Sequence, residues 1–199
     1  MIEFLWIKLL RLRARLYTLA LSSAFYSFGK RSAIVPPLRF NNLKDVRIGQ
    51  GVVINGNCWI QAVSDGDAAD GPKIDIRDGT SIGMDATITA AKKIVIEENV
   101  VFARNVHVSD HGHEYEDVSI PIVDQGIRKK TEVRIGAGSW IGQNAVILPG
   151  AVIGKNCVVG ANSVVNGPIP DFCAAAGAPA RIIKRFDQAT RRWEAVESE

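Results

Sequence analysis

Few cysteines, no long apolar run and no strong excess of either charge mark this 199-residue chain. Its three cysteines, Cys58, Cys157 and Cys173, lie far apart and form no CxxC pair. A disulfide framework and a zinc ribbon are therefore excluded, and a reducing, cytoplasmic setting is favoured. No stretch of about 18 uncharged apolar residues occurs, so no spanning helix is expected. Lys and Arg number 24 against 21 Asp and Glu, a net charge of +3 that is too mild to indicate a nucleic-acid partner. What remains is a 47% hydrophobic, 23% charged composition, which suits one globular domain with appendages.

Leucine divides the chain. Seven of its ten leucines fall within residues 5–21, whereas the remainder is built on Ile and Val. Leucine favours helix and β-branched residues favour strand, so a helical head precedes a β body. The head, residues 1–35, carries Lys8, Arg11, Arg13 and Arg15 among Phe4, Trp6 and leucines, and only 13 residues separate Arg15 from Gly29. That is too short to cross a bilayer. Two dispositions stay open for it: peripheral contact of residues 1–30 with the inner face of an anionic cytoplasmic membrane, or packing on the body or a neighbouring subunit. Pro36-Pro37 is read as the boundary between head and body.

The body, residues 36–180, repeats every six residues. From Ile135 the sequence runs IGAGSW IGQNAV ILPGAV IGKNCV VGANSV VNGPIP, with anchors at Ile135, Ile141, Ile147, Ile153, Val159 and Val165. Glycine follows the anchor at Gly136, Gly142, Gly154 and Gly160. Earlier runs keep the period with slips: Ile48, Ile54, Ile60; then Ile76, Ile82, Ile88; then Ile96, Phe102, Val108. Polar segments at 64–72 and 109–133 are expected to protrude at the breaks. One apolar anchor per six residues fits no amphipathic helix, but it does fit a short strand plus a corner, repeated. The spacing predicts an all-β parallel β-helix with triangular coils of 18 residues, stacked at about the 4.8 Å interstrand distance. Coils protect only their neighbours, so both ends need caps. The tail, residues 181–199, basic and containing Trp193, is expected to be a C-terminal helical cap.

This pattern resembles the hexapeptide-repeat acyltransferases over roughly residues 40–185. The features that carry the resemblance are the repeat, SDHGHEY at 109–115, IGAGSWIGQNAVILPGAVIG at 135–154 and GAPARIIK at 177–184. The last two are similar to the signature of galactoside, maltose and polysaccharide O-acetyltransferases. The resemblance implies a left-handed β-helix, a homotrimer with sites between adjacent prisms, and acetyl-CoA as co-substrate with no metal required.

Acetyl transfer to a hydroxyl needs a base for the acceptor proton, donors for the tetrahedral oxyanion, and a groove for the pantetheine arm. Imidazole is the natural base near neutral pH. All three histidines, His107, His111 and His113, cluster at the edge of the long loop. Counting along the family pattern places the catalytic role on His113 first and His111 second. His107, between Val106 and Val108, reads as an outward-facing strand residue. Asp110, Glu114 and Glu116 are candidates to orient the imidazole. The resemblance places Trp140 in the groove, Gly160 and Ala161 along the pantetheine arm, and Asn166, Arg181 and Lys184 near the nucleotide end, where cations meet phosphates. Lys184 stands where several relatives carry Arg.

These residues imply an O-acetyltransferase acting on a sugar or glycan acceptor in cell-surface polysaccharide or lipopolysaccharide assembly. Three alternatives stay open: an N-acetyltransferase on an amino sugar, a metalloenzyme like the γ-class carbonic anhydrases, and a non-enzymatic β-helix scaffold.

Overall fold

The computed structural model describes residues 2–64, 71–129 and 131–196. Helix α1 (Ile2–Leu21) opens the chain, and short strands follow, wound through three sheets in strict rotation. Wall one holds Ser27–Phe28, Val46–Ile48, Ile74–Ile76, Ile94–Ile96, Val133–Ile135 and Val152–Ile153. Wall two begins with Ala33–Ile34 and runs through Val53–Ile54, Ser81–Ile82, Val101–Phe102, Trp140–Ile141 and Val158–Val159 to Cys173–Gly177. Wall three runs from Leu38–Asn41 through Cys58–Ala62, Thr87–Ala90, His107–Ser109 and Val146–Ile147 to Val164–Val165. Within these runs every neighbouring pair is parallel, so the body is a three-walled parallel coil.

The register shows why the anchors recur every six residues. Ile48, Ile76, Ile96, Ile135 and Ile153 are successive partners on wall one. Ile60, Ile88, Val108, Ile147 and Val165 form the corresponding column on wall three. All of these anchors are buried in one continuous core. Their β-branched side chains stack directly above one another on the pleat, where their restricted rotamers cost least. The corners need left-handed backbone. Asn57, Asp85, Asn105, Asn144 and Asn162 supply it between walls two and three, each with φ near 60°. Asn is the least costly residue with a side chain in that region. Here it also stacks: Asn105 Nδ2 donates to Asn144 Oδ1 at 3.0 Å, and Asn144 Nδ2 to Asn162 Oδ1 at 2.9 Å.

Helix α1 closes the first coil. The Ile34 amide donates to Thr18 Oγ1 at 2.8 Å, and the Leu38 amide to Tyr17 Oη at 3.2 Å. Side chains of the helix thus satisfy edge-strand donors that no preceding coil meets.

Two expectations are corrected. The coil starts at Ser27–Phe28, ahead of Pro36-Pro37, so the head is shorter than residues 1–35. The two prolines turn the corner between Ala33–Ile34 and Leu38–Asn41, where their fixed φ suits a bend, and they are no linker. At the other end the expected C-terminal helix is absent. Ala180–Asp187 runs antiparallel to Cys173–Gly177, and Arg192–Ala195 pairs with it in turn. Gly177, at φ 103°, lets the chain reverse on the outermost strand of wall two. The tail therefore inherits an open strand edge, which pairing satisfies better than a helix would. Phe186 and Trp193 then meet edge to face across the hairpin, ring centres 5.6 Å apart.

Candidate functional site

The chain leaves the coil at one corner, between walls three and one, and the histidines sit there. Of the expected protrusion at 64–72, residues 65–70 lie outside the described residues. The segment 109–133 is more ordered than a plain loop. His111–His113 pairs antiparallel with Ile127–Lys129, and a single helical turn, α2 (Ile122–Gln125), lies between them. Gln125 ties the excursion together, donating to the carbonyls of Asp117 at 2.7 Å and Ile120 at 3.0 Å.

Asp110 fastens this hairpin to the coil. Its carboxylate has no exposure to solvent. It accepts the amides of Ala91 at 2.7 Å, Lys92 at 2.7 Å and Lys93 at 2.6 Å, and lies 2.9 Å from His111 Nδ1. Burial pushes its pKa up, but the hydrogen bonds from His111, Ala91 and Lys92 outweigh burial and hold it below 3.8. The cradle exists because the coil beneath carries extra residues at this corner, Ala91 to Lys93, whose amides point away from any strand. The slip in the repeat between Ile88 and Ile96 is the trace of that cradle in the sequence, a signal that periodicity reasoning passed over.

The three imidazoles differ in setting. His111 is half-buried and engaged by Asp110, with its own carbonyl accepting the Ser109 hydroxyl at 2.8 Å. His113 is exposed and makes no side-chain hydrogen bond or ion pair among the described residues. His107 projects from the outer face of wall three, between buried Val106 and Val108. Burial, and then the neighbouring His111, lower its pKa below 6.5. Glu116 pairs with Arg128 at 3.0 Å and thus braces the hairpin strand opposite the histidines. All three cysteines are buried thiols, and burial raises Cys58 to about 11, far from a reactive thiolate.

The other candidates lie on different parts of the fold. Asn166 follows wall three at the same corner as Asp110, two coils further on, or roughly 10 Å at the interstrand spacing. Asn166 and Arg181 line one cavity of about 780 Å³ together with Pro168, Ile169 and Ile183. Trp140 projects from wall two between Val101 and Val158, half exposed. Gly160 and Ala161 turn the corner between walls two and three. Lys184 stands beside Ala174 on the C-terminal hairpin, outside the cavity that holds Arg181. A single chain therefore has the histidines and Asn166 at one corner, with Arg181 across the cavity from Asn166 on the strand added to wall two. Trp140 lies on the face of wall two, and Gly160 and Ala161 lie at the corner between walls two and three. Among the described residues no group of three or more His, Cys, Asp or Glu is placed to hold a metal ion.

Residues 132–167 match the family description "Bacterial transferase hexapeptide (six repeats)". The Mycobacterium tuberculosis protein named "Probable acetyltransferase Rv3034c" is 37% identical over 77% of this chain and 47% of its own length. The chain spans between 47% and 59% of the length of this and two other curated acetyltransferase relatives. Nodulation protein L of Rhizobium meliloti is 33% identical, over 77% of this chain and 67% of that protein. The crystal structure of a maltose O-acetyltransferase from Clostridium difficile superposes with a TM-score of 0.58 at 28% identity, covering 84% of this chain and 73% of the other. With the repeat, the three-walled coil and these relatives together, the chain belongs to the bacterial hexapeptide-repeat transferase family.

Proposed function

We propose that the protein is an acetyl-CoA-dependent O-acetyltransferase acting on a sugar hydroxyl in cell-surface polysaccharide or lipopolysaccharide assembly. The observation that carries this reading is the histidine hairpin, fastened by buried Asp110 at the same corner as Asn166, which shares a cavity with Arg181. His113 is the base: exposed and unengaged, its imidazole is free to meet an acceptor. His111, clasped by Asp110, positions the hairpin.

His113 takes the proton of the acceptor hydroxyl as its oxygen attacks the thioester carbonyl. The tetrahedral oxyanion collapses, the carbon–sulfur bond breaks, and the imidazolium returns its proton to the departing CoA thiolate. The thiolate leaves readily, so the residues need hold no covalent intermediate. Arg181 and Asn166 serve the nucleotide end of CoA, with Lys184 adding charge nearby. Trp140, Gly160 and Ala161 line the pantetheine path from a second copy, since they lie on wall two and at its corner with wall three, away from the histidine corner. Wall two supports that assembly: Val53, Ser81, Val101 and Trp140 succeed one another on its outer face, with the three apolar members between 36% and 52% exposed. A left-handed coil and a homotrimer complete the reading.

The test is transfer from acetyl-CoA to a panel of sugars, read by thiol release. His113→Ala should lower the rate by about 10²–10⁴-fold with the assembly intact. Full activity in His113→Ala together with loss in His111→Ala would move the base to His111. Transfer to amino sugars alone would replace the hydroxyl acceptor with an amine.

A further inference from the structure

Helix α1 is fixed to the body by one narrow stripe and leaves the rest of its surface bare. Ala14 and Thr18 are buried, and Tyr17 and Leu21 pack against the core. Around the helix from that stripe, Ile2, Leu5, Leu9, Leu12, Leu16 and Leu19 follow one another at spacings of three and four. At 100° per residue they form a continuous apolar seam facing away from the coil. Their exposures run from 52% to 82%. Phe4 and Trp6 widen the apolar surface at the first turns and are also exposed. Midway, one flank of the seam turns towards the body, where Leu9, Leu12, Arg13 and Leu16 border an open groove of about 560 Å³ with Tyr17, Pro36 and Pro37. Among the described residues no helix is long and apolar enough to cross a membrane.

Charge decides what covers the seam. Lys8 and Arg15 fall along one flank and Arg13 along the other, and Glu3 is the only acid in the helix. Were a second copy's helix to pack on the seam in parallel, Lys8 and Arg15 of one copy would face Arg13 of the next with no acid to answer them. An anionic lipid surface answers all three. The leucines sink to the acyl boundary, the long cationic side chains reach the headgroups, and Trp6 sits at the interface.

We infer that α1 is an interfacial anchor lying flat on an anionic membrane. The helix closes the first coil, and the histidine strand is three strands further along wall three. The histidine hairpin would then stand roughly 15 Å above the helix, within reach of a glycan carried on the lipid surface. The inference concerns binding, so it stands or falls separately from acyl transfer.

The experiment is cosedimentation of the full chain with phosphatidylcholine vesicles, with and without phosphatidylglycerol, at low and high salt. Binding should require phosphatidylglycerol and weaken with salt. Lys8→Gln with Arg15→Gln should lower partitioning about 25-fold, roughly fivefold per cation. Leu5→Ser with Leu19→Ser should abolish binding while circular dichroism and particle mass stay unchanged, because neither residue packs on the body. Failure of the folded wild type to bind phosphatidylglycerol vesicles would overturn the inference, as would undiminished binding by the charge variant. A smaller particle for the leucine variant in vesicle-free solution would overturn it in favour of a second copy on the seam.

Discussion

Walls one and two have the same inner face and opposite outer ones. Inside, each is a column of buried apolar side chains, aliphatic through most of their length and with aromatic Phe102 in wall two. Outside, wall one carries charge beside Val95 and Val152, and that charge is paired: Arg134 meets Glu97 at 2.8 Å, and Asp75 lies 3.6 Å from Arg47 and 3.4 Å from Arg77. Wall two presents Val53, Val101 and Trp140, each exposed, with no charged residue among its paired outer neighbours Ser81 and Val158. The repeat dictates only the inner residue of each strand and leaves the outer one free. The fold is therefore written in one half of the strand positions and in the left-handed corners, while the other half is free to carry charge on one wall and exposed apolar side chains on another.

The sharpest way to break that comparison is to change an inner residue. Ile135 is fully buried and stacked between Ile96 and Ile153. Ile135→Ala removes three carbons from a column that cannot collapse without bending two neighbouring strands. A loss of about 2–5 kcal/mol is expected, measured by urea unfolding of the assembled protein. A loss below about 1 kcal/mol would mean that the column is loosely packed and that the repeat holds the fold through its corners instead.

Next comes the corner. The folded pKa of Asp110 lies below its ordinary 3.8. Its contribution to stability is therefore fully present above that value and is lost as pH falls through the folded pKa. Hydrogen bonds to a charged group contribute about 1.5–3 kcal/mol in buried settings. Asp110→Asn should remove a contribution of that order at neutral pH and flatten the acid limb of the stability curve below pH 3.8. It should also lower acetyl transfer by loosening the hairpin. An unchanged acid limb would show that the cradle of Ala91, Lys92 and Lys93 holds a neutral side chain equally well.

The same division explains what the sequence revealed. Every predicted anchor from Ile48 to Val165 is buried, because period six is imposed by stacking and leaves its mark on every coil. The histidine cluster was equally visible, since three imidazoles within seven residues stand out in any chain. The cradle around Asp110 shows in the sequence only as the slip between Ile88 and Ile96, because the backbone amides that form it carry no residue type. The tail was misread because its basic residues and Trp193 suggest a helix. The decisive facts were the reversal at Gly177 and an open strand edge, and neither shows in composition. The seam on α1 was legible as leucines, but its isolation from the body was not, because only packing shows which face a helix leaves bare.

The smallest expected effect is the one that most sharpens the contrast between the walls. Arg47 is partly exposed, and its contact with Asp75 is long and screened by solvent. Arg47→Ala should cost less than about 1 kcal/mol and leave the oligomer unchanged. Val101, whose neighbours on the outer face are Ser81 and Trp140, should be just as dispensable to the isolated coil. Val101→Asp places a charge between Ser81 and Trp140, where water still reaches it in a single chain. Its effect should appear in assembly alone, as a shift towards monomer in light scattering with an unchanged circular dichroism spectrum. If both variants keep the wild-type particle mass, wall two is not the contact face of the proposed trimer. Trp140, Gly160 and Ala161 would then have to meet the histidine edge by some other pairing of copies.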